Sequence, residues 1–112
     1  MKKTSLLLFI ALFLSCGGNN KPTEQDKQVA QTYIDVITGF TCDKAALTDN
    51  NYLVIAIDAI GNDYNTLASQ FLEEAKKEGL TFIKGVYIVD SKDCQFGDGW
   101  VKGDRIGKAV NN

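Results

Sequence analysis

The sequence predicts a small α/β fold on the α+β borderline. We expect a two-layer sandwich in which two helices cover one face of a mixed sheet of three or four strands. Two segments carry apolar residues at the three- and four-residue spacing of amphipathic helices, and two apolar runs of strand length alternate with them. The remaining residues, 94–110, have the glycine-rich turn signals of a hairpin. The predicted order is helix, strand, helix, strand, hairpin.

The first helix is predicted over residues 24–38. Thr23 precedes it as a hydroxyl N-cap, and acidic residues occupy its first turn. Its apolar stripe consists of Val29, Tyr33, Val36, Ile37 and Phe40. The polar stretch that follows, residues 41–51, is predicted to hold one helical turn at residues 43–47.

The first strand is predicted over residues 52–57, a continuous apolar run that is rich in β-branched side chains. Such a run is typical of a strand that is covered on both faces. The second helix follows, with Asn62 or Asp63 as its predicted N-cap. Gly79 stands where a left-handed residue ends a helix.

The second strand is predicted over residues 81–89. Short links join strand, helix and strand, so a right-handed crossover and a parallel strand pair are expected. Residues 90–93 have the composition of a turn. The chain is then expected to return antiparallel, as one or two short strands within residues 94–110.

The N-terminal segment predicts the location of the protein. Lys2 and Lys3 precede nine apolar residues at positions 6–14, which are followed by Ser15 and Cys16. The run is too short to span a bilayer, which takes about 20 apolar residues. Over residues 1–16 the segment resembles the signal peptide of bacterial lipoprotein precursors.

That resemblance implies cleavage before Cys16 and attachment of diacylglycerol to its sulfur. Gly17, where Asp would signal retention, implies sorting to the outer membrane. The expected organisation is a signal peptide at residues 1–15, a lipidated flexible tether at 16–22 and one domain at 23–112. The alternative is ordinary signal-peptidase cleavage after Gly17, which would release a soluble protein.

Charge and composition exclude several functions. Cleavage removes Lys2 and Lys3 and leaves ten basic and fourteen acidic residues, with no basic cluster longer than Lys76-Lys77. Nucleic acid binding needs a basic surface and is not expected. The chain has no histidine, which excludes histidine catalysis and histidine metal ligands. No cofactor, metal site or catalytic constellation is predicted.

Cys42 and Cys94 are the cysteines that remain besides Cys16. In an oxidising envelope an even pair usually bonds, so a structural disulfide is predicted. Two buried free thiols are one alternative. A redox couple is the other, although its usual C-x-x-C spacing is absent.

Trp100 is the single tryptophan of the chain and lies in the glycine-rich hairpin with Phe96 and Asp104. Aromatic side chains on loops often anchor partners or sugars, so these three residues form the candidate contact surface. The alternative is that Trp100 closes one end of the core beneath the helices.

The sequence therefore predicts a membrane-anchored lipoprotein of the cell envelope that acts as a small, non-catalytic binding module. Its expected partners are the lipid bilayer, through acylated Cys16, and an envelope protein or glycan. An inhibitor or immunity-type lipoprotein is one alternative function. A thiol-disulfide redox protein that uses Cys42 and Cys94 is another.

Overall fold

The computed structural model describes residues 21–61 and 63–112. Cys16, the signal peptide and most of the predicted tether lie outside the described residues, as does Asn62. The elements in chain order are α1 (Glu24–Ile37), β1 (Lys44–Leu47), β2 (Tyr52–Ile57), α2 (Asn65–Lys77), β3 (Gly85–Asp90), β4 (Cys94–Gly97), β5 (Trp100–Gly103) and β6 (Gly107–Val110). Neither of these two helices has the length and apolar character needed to cross a membrane.

A four-stranded mixed sheet forms the centre of the domain. Its strand order is β1-β2-β3-β6. The central pair, β2 and β3, is parallel, and the outer strands β1 and β6 are antiparallel to their neighbours. The predicted fold class, the parallel pair and the antiparallel return of the chain are confirmed.

The two helices begin and end at residues with a local physical reason. Thr23 Oγ1 accepts a hydrogen bond of 3.0 Å from the N–H of Asp26, and the Asp26 carboxylate accepts one of 3.1 Å from the N–H of Thr23. This capping box fixes the start of α1. Helix α2 is followed by Gly79, whose φ of +101° is the left-handed conformation that favours glycine.

The predicted capping of α2 is wrong at Asp63. Tyr64 occupies the N-cap, and no side chain accepts a capping hydrogen bond there. Asp63 Oδ1 instead accepts a hydrogen bond of 3.3 Å from the N–H of Asn65, only two residues later. A backbone hydrogen bond also holds the helix start, since the Tyr64 N–H donates to Ile106 O at 2.9 Å.

The main core lies between the helices and one face of the sheet. Alternate residues of the central strands point into it, including Leu53 and Ile55 of β2 and Val86 and Ile88 of β3. Helix residues that pack against them are Ala30, Tyr33, Ile34, Ile37, Ala68, Phe71, Leu72 and Ala75. Burial of this stripe supplies most of the driving force that keeps α1 and α2 on the sheet.

The β4–β5 hairpin covers the opposite face of the sheet. Val54 and Ala56 of β2 and Val89 of β3 pack there against Val101 of β5. The hairpin is a separate two-stranded sheet, so it adds a third layer instead of extending the main sheet as one of its strands. The cause lies in β2, whose apolar run needs cover on both faces while the helices lie on only one.

Two predicted segments differ from the structure. Residues 44–47 are an edge strand paired antiparallel with β2, and the predicted helical turn does not form. The second strand begins at Gly85, later than the predicted residue 81. The preceding residues Leu80 and Ile83 are buried without being paired in the sheet, and the Asn111 side-chain amide donates to the carbonyls of Thr81 and Ile83.

Candidate functional site on the hairpin

Trp100 lies on the side of the hairpin that faces away from the sheet. Its neighbour Val101 points inward and is 6% exposed, whereas Trp100 is 43% exposed. The indole rests on Gly97, because a methyl group at Gly97 would come within 2.0 Å of Trp100 Cε2. Trp100 therefore does not occupy the alternative position beneath the helices. We call Gln95, Gly97, Trp100 and Lys102 the outer hairpin face.

The other two residues of the predicted contact surface lie elsewhere. Phe96 is partly buried and packs in the cluster between hairpin and sheet. Asp104 is exposed and directly follows β5. Since Phe96 is the cross-strand partner of the inward-facing Val101, it lies on the side of the hairpin that faces the sheet. The structure thus separates the three residues and leaves Trp100 as the exposed aromatic residue of the hairpin.

Each of three cations lies over an aromatic ring on the hairpin side of the sheet. Lys102 Nζ is 5.8 Å from the centre of the Trp100 ring, and Lys44 Nζ is 5.3 Å from that of Phe96. The guanidinium carbon of Arg105 is 5.1 Å from the ring centre of Tyr87. Such contacts stabilise exposed cations by about 0.5–1 kcal/mol each and hold the charges close to the rings.

Arg105 also connects the hairpin to the sheet. Its two terminal guanidinium nitrogens donate to the carbonyls of Gly103 and Val101, both at 3.0 Å. Tyr87, beneath the guanidinium, stacks against Tyr52 with ring centres 4.7 Å apart. These three residues were not among the candidates that the sequence predicted. A signal for the two tyrosines was present, because each lies two residues before a valine of the cluster between hairpin and sheet, Tyr52 before Val54 and Tyr87 before Val89, and so shares its side of the strand.

The cations of this side differ from most others in the domain. In the described ranges 21–61 and 63–112, Lys27, Lys76 and Lys92 form ion pairs with carboxylates. Among the carboxylates of these described ranges, none lies within ion-pairing distance of Lys44, Lys102, Arg105 or Lys108. Lys108 is the cross-strand neighbour of Tyr87. Their positive charges are therefore left for a ligand or for solvent.

Cys42 and Cys94 are free thiols in the structure, and the predicted disulfide is not formed. Cys42 packs into the core on the helix side of the sheet, whereas Cys94 packs against the cluster on the hairpin side. A disulfide needs Cβ atoms about 4 Å apart, which residues on opposite faces of a sheet do not reach. The same separation removes the pair that a redox couple would need.

Burial also makes both thiols less reactive. Desolvation is the main cause that raises the pKa of Cys42 and of Cys94 above the usual value for a thiol. A raised pKa lowers the thiolate fraction, and the thiolate is the nucleophile in disulfide exchange. Within the described residues, moreover, no group of three or more cysteine and acidic side chains is arranged to hold a metal ion.

Comparison with known proteins gives a family and a fold. A family model described as "Hypothetical protein" matches residues 25–111. Among solved structures, the chain is similar to a protein from Parabacteroides distasonis ATCC 8503 that is described as having an alpha-lytic protease prodomain-like fold. The two are 63% identical with a TM-score of 0.71, and the match covers 72% of this chain and 98% of that one. No curated protein matches. The chain therefore belongs to the family of hypothetical proteins whose model spans its domain.

Proposed function

We propose that this protein is a lipid-anchored, non-catalytic binding module of the cell envelope, and that the outer hairpin face is its contact surface. The observation that carries the proposal is the position of Trp100, which is 43% exposed and backed by Gly97. An indole held this way offers a large contact area and loses little side-chain entropy on binding, which is why tryptophan is common at binding hot spots.

The place where the predicted tether joins the domain supports a position of the hairpin close to the membrane. Lys21 Nζ lies 3.9 Å from Asp49 Oδ2, and the Asp49 N–H donates to Gly99 O in the hairpin turn. The domain thus begins beside the tip of the hairpin. Five residues from Cys16 to Lys21 reach at most about 18 Å when extended. An anchored domain would therefore present the outer hairpin face to partners at or near the bilayer surface.

The anchor is tested by the intact mass of the protein purified from membranes. The proposal predicts a chain that begins at Cys16 and carries two or three acyl chains, since one chain alone gives only marginal membrane binding. A mass that corresponds to an unmodified chain beginning at Gly18 would mean release by ordinary signal peptidase and would contradict the anchor.

The contact surface is tested by a matched pair of substitutions in the full-length protein. Trp100→Ala should reduce retention of solubilised envelope material by the immobilised protein at least about tenfold, the loss of one hot-spot side chain. Val36→Ala, which truncates a 68% exposed apolar residue on α1, should leave retention unchanged. Equal retention by folded Trp100→Ala and wild type would exclude the outer hairpin face.

A second candidate is an inhibitor-type lipoprotein. The observation that favours it is the description of the related solved structure, whose fold is named after the prodomain of a protease. This function predicts one stoichiometric protein partner, a protease whose activity falls when the protein is added. Retention of glycans alone, with no protein in stoichiometric amount, would favour the first proposal over this one.

A further inference from the structure

The outer hairpin face combines a flat aromatic surface with cations that are not neutralised. The Trp100 ring has Gly97 beneath it and Lys102 Nζ 5.8 Å from its centre. Lys102 has no carboxylate partner among the described residues. The same is true of Arg105, which follows β5, and of Lys108 on β6. A positive charge without a carboxylate partner favours an anionic ligand.

The acidic residues of this region lie at the two ends of the hairpin. Asp98 is in the turn between β4 and β5, while Asp93 precedes β4 and Asp104 follows β5. Lys102 lies within β5, whereas Trp100 is its first residue and stands next to the turn that contains Asp98. The Asp49 carboxylate lies against the same turn, because a methyl group at Gly99 would come within 2.5 Å of Asp49 Oδ2. Acidic side chains therefore flank the indole on the turn side, and the cations without a carboxylate partner lie on its other side, beginning at Lys102.

The shape of the surface distinguishes between anionic ligands. Beside Lys102 lies an open depression of about 340 Å³, lined by Lys92, Asp93, Cys94, Gln95, Lys102 and Gly103. It is shallow and polar, and it offers no enclosed apolar pocket for the anchoring side chains of a peptide. A sugar ring needs only a flat ring to pack on and polar groups at its edge, such as the Gln95 amide.

We propose that the outer hairpin face binds an acidic polysaccharide. One sugar ring packs on the exposed part of the Trp100 ring beside the Lys102 ammonium, and carboxylates of neighbouring sugars pair with Lys102 and, beyond the strand, with Arg105 and Lys108. The inference rests on the proposed function, because it uses the same contact surface and names the chemical class of the ligand.

Binding of polygalacturonate, a polymer of uronic acids, to the full-length protein in detergent micelles tests this inference. Neutral dextran and the acidic peptide polymer polyglutamate serve as comparison probes. We expect polygalacturonate to bind, dextran not to bind, and polyglutamate to bind more weakly. Added salt should weaken binding, because ion pairs between exposed groups are screened.

Matched substitutions separate a specific site from general charge attraction. The double variant Lys102→Gln with Lys108→Gln should weaken binding roughly two- to thirtyfold, the effect of losing two exposed ion pairs. Lys77→Gln, which removes an equally unpaired charge from the end of α2, should leave it within about twofold. Trp100→Ala should weaken binding without changing its salt dependence.

Each contrary result has its own meaning. Equal loss in Lys77→Gln, or equal affinity for polyglutamate, would overturn the inference by showing attraction to charge alone. Absence of polygalacturonate binding would also overturn it, yet would leave the proposed function intact if Trp100→Ala still abolished retention of envelope material. If Trp100→Ala had no effect on either ligand, both proposals would fail.

Discussion

Gly97 and Trp100 form a pair in which one residue provides space and the other provides contact area. The three atoms nearest to a Cβ placed at Gly97 all belong to the Trp100 indole, at 2.0, 2.1 and 2.5 Å. Any side chain larger than the hydrogen atom of glycine would displace the indole ring. The requirement for glycine at this position therefore comes from the indole and not from backbone conformation.

Gly97→Ala should displace the indole into solvent while the domain stays folded. Because the ring is exposed and can move, we expect a loss of about 1 kcal/mol or less in the free energy of unfolding. Tryptophan emission should shift to longer wavelength, and Trp100 is the only tryptophan that contributes to it. Gly61→Ala is the control, since its added methyl group meets only Tyr64 Oη at 3.9 Å. Unchanged emission in Gly97→Ala would contradict the stacking.

Tyr33 links the two helices. Its hydroxyl donates a hydrogen bond of 2.7 Å to Glu74 Oε1. Burial, followed by this hydrogen bond to a carboxylate, raises the pKa of Tyr33 far above its ordinary value of 10.0. The neutral phenol is therefore favoured in the folded state, and its contribution to stability is complete below pH 10 and is lost as the pH rises above it.

Tyr33→Phe should show this pH dependence in urea denaturation. Below pH 10 the variant should be less stable by about 1 kcal/mol, the usual contribution of one hydrogen bond. Above pH 10 the difference should shrink and then reverse, because only the wild-type protein must keep a phenol neutral in order to stay folded. A stability difference that is constant from pH 8 to pH 11 would contradict the assigned burial and hydrogen bond.

At the scale of elements, local signals and long-range packing decide different parts of the fold. The capping box of α1 and Gly79 after α2 lie within a few residues of the helices that they bound, and the sequence predicted both. Strand β1 was missed because Ala45 and Ala46 have no strong preference for a strand. Its extended form comes from pairing with β2, which no local pattern reveals.

The sequence predicted that the hairpin forms but not which face of the sheet it covers. The sequence indicated a glycine-rich hairpin within residues 94–110 and the cover that β2 needs on both faces. It did not show that the hairpin would supply this cover, since that depends on contacts such as Val101 with Val54 and Val89. Consequently Phe96 was assigned to the contact surface, although it packs toward the sheet.

Val101→Ala tests whether the cluster of Val54, Ala56, Val89 and Val101 holds the hairpin on the sheet. Removal of two buried methyl groups should lower the free energy of unfolding by about 2 kcal/mol. Val110→Ala is a matched control, because this residue of β6 is 48% exposed and should cost no more than about 0.5 kcal/mol. Amide hydrogen exchange should rise in β4 and β5 in the first variant only. Equal effects of the two substitutions would contradict the three-layer arrangement.

At the scale of the whole molecule, the two sides of the sheet differ in packing and in surface charge. The helix side contains the larger core and, on α1 and α2, lysines that pair with acidic neighbours. The hairpin side carries the exposed indole and the cations without carboxylate partners. The sequence predicted the indole as a candidate, but only the fold places Lys44, Arg105 and Lys108, which belong to separate segments, on the same side of the sheet.

The proposed function requires that the outer hairpin face is where this protein meets its partner. Photo-crosslinking in living cells tests this contact, with a photoreactive amino acid in place of Lys102 and, as control, in place of Lys77 on α2. We expect a covalent adduct of higher mass from position 102 and none from position 77. Adducts from position 77 alone, or equally from both positions, would show that the outer hairpin face is not the contact surface.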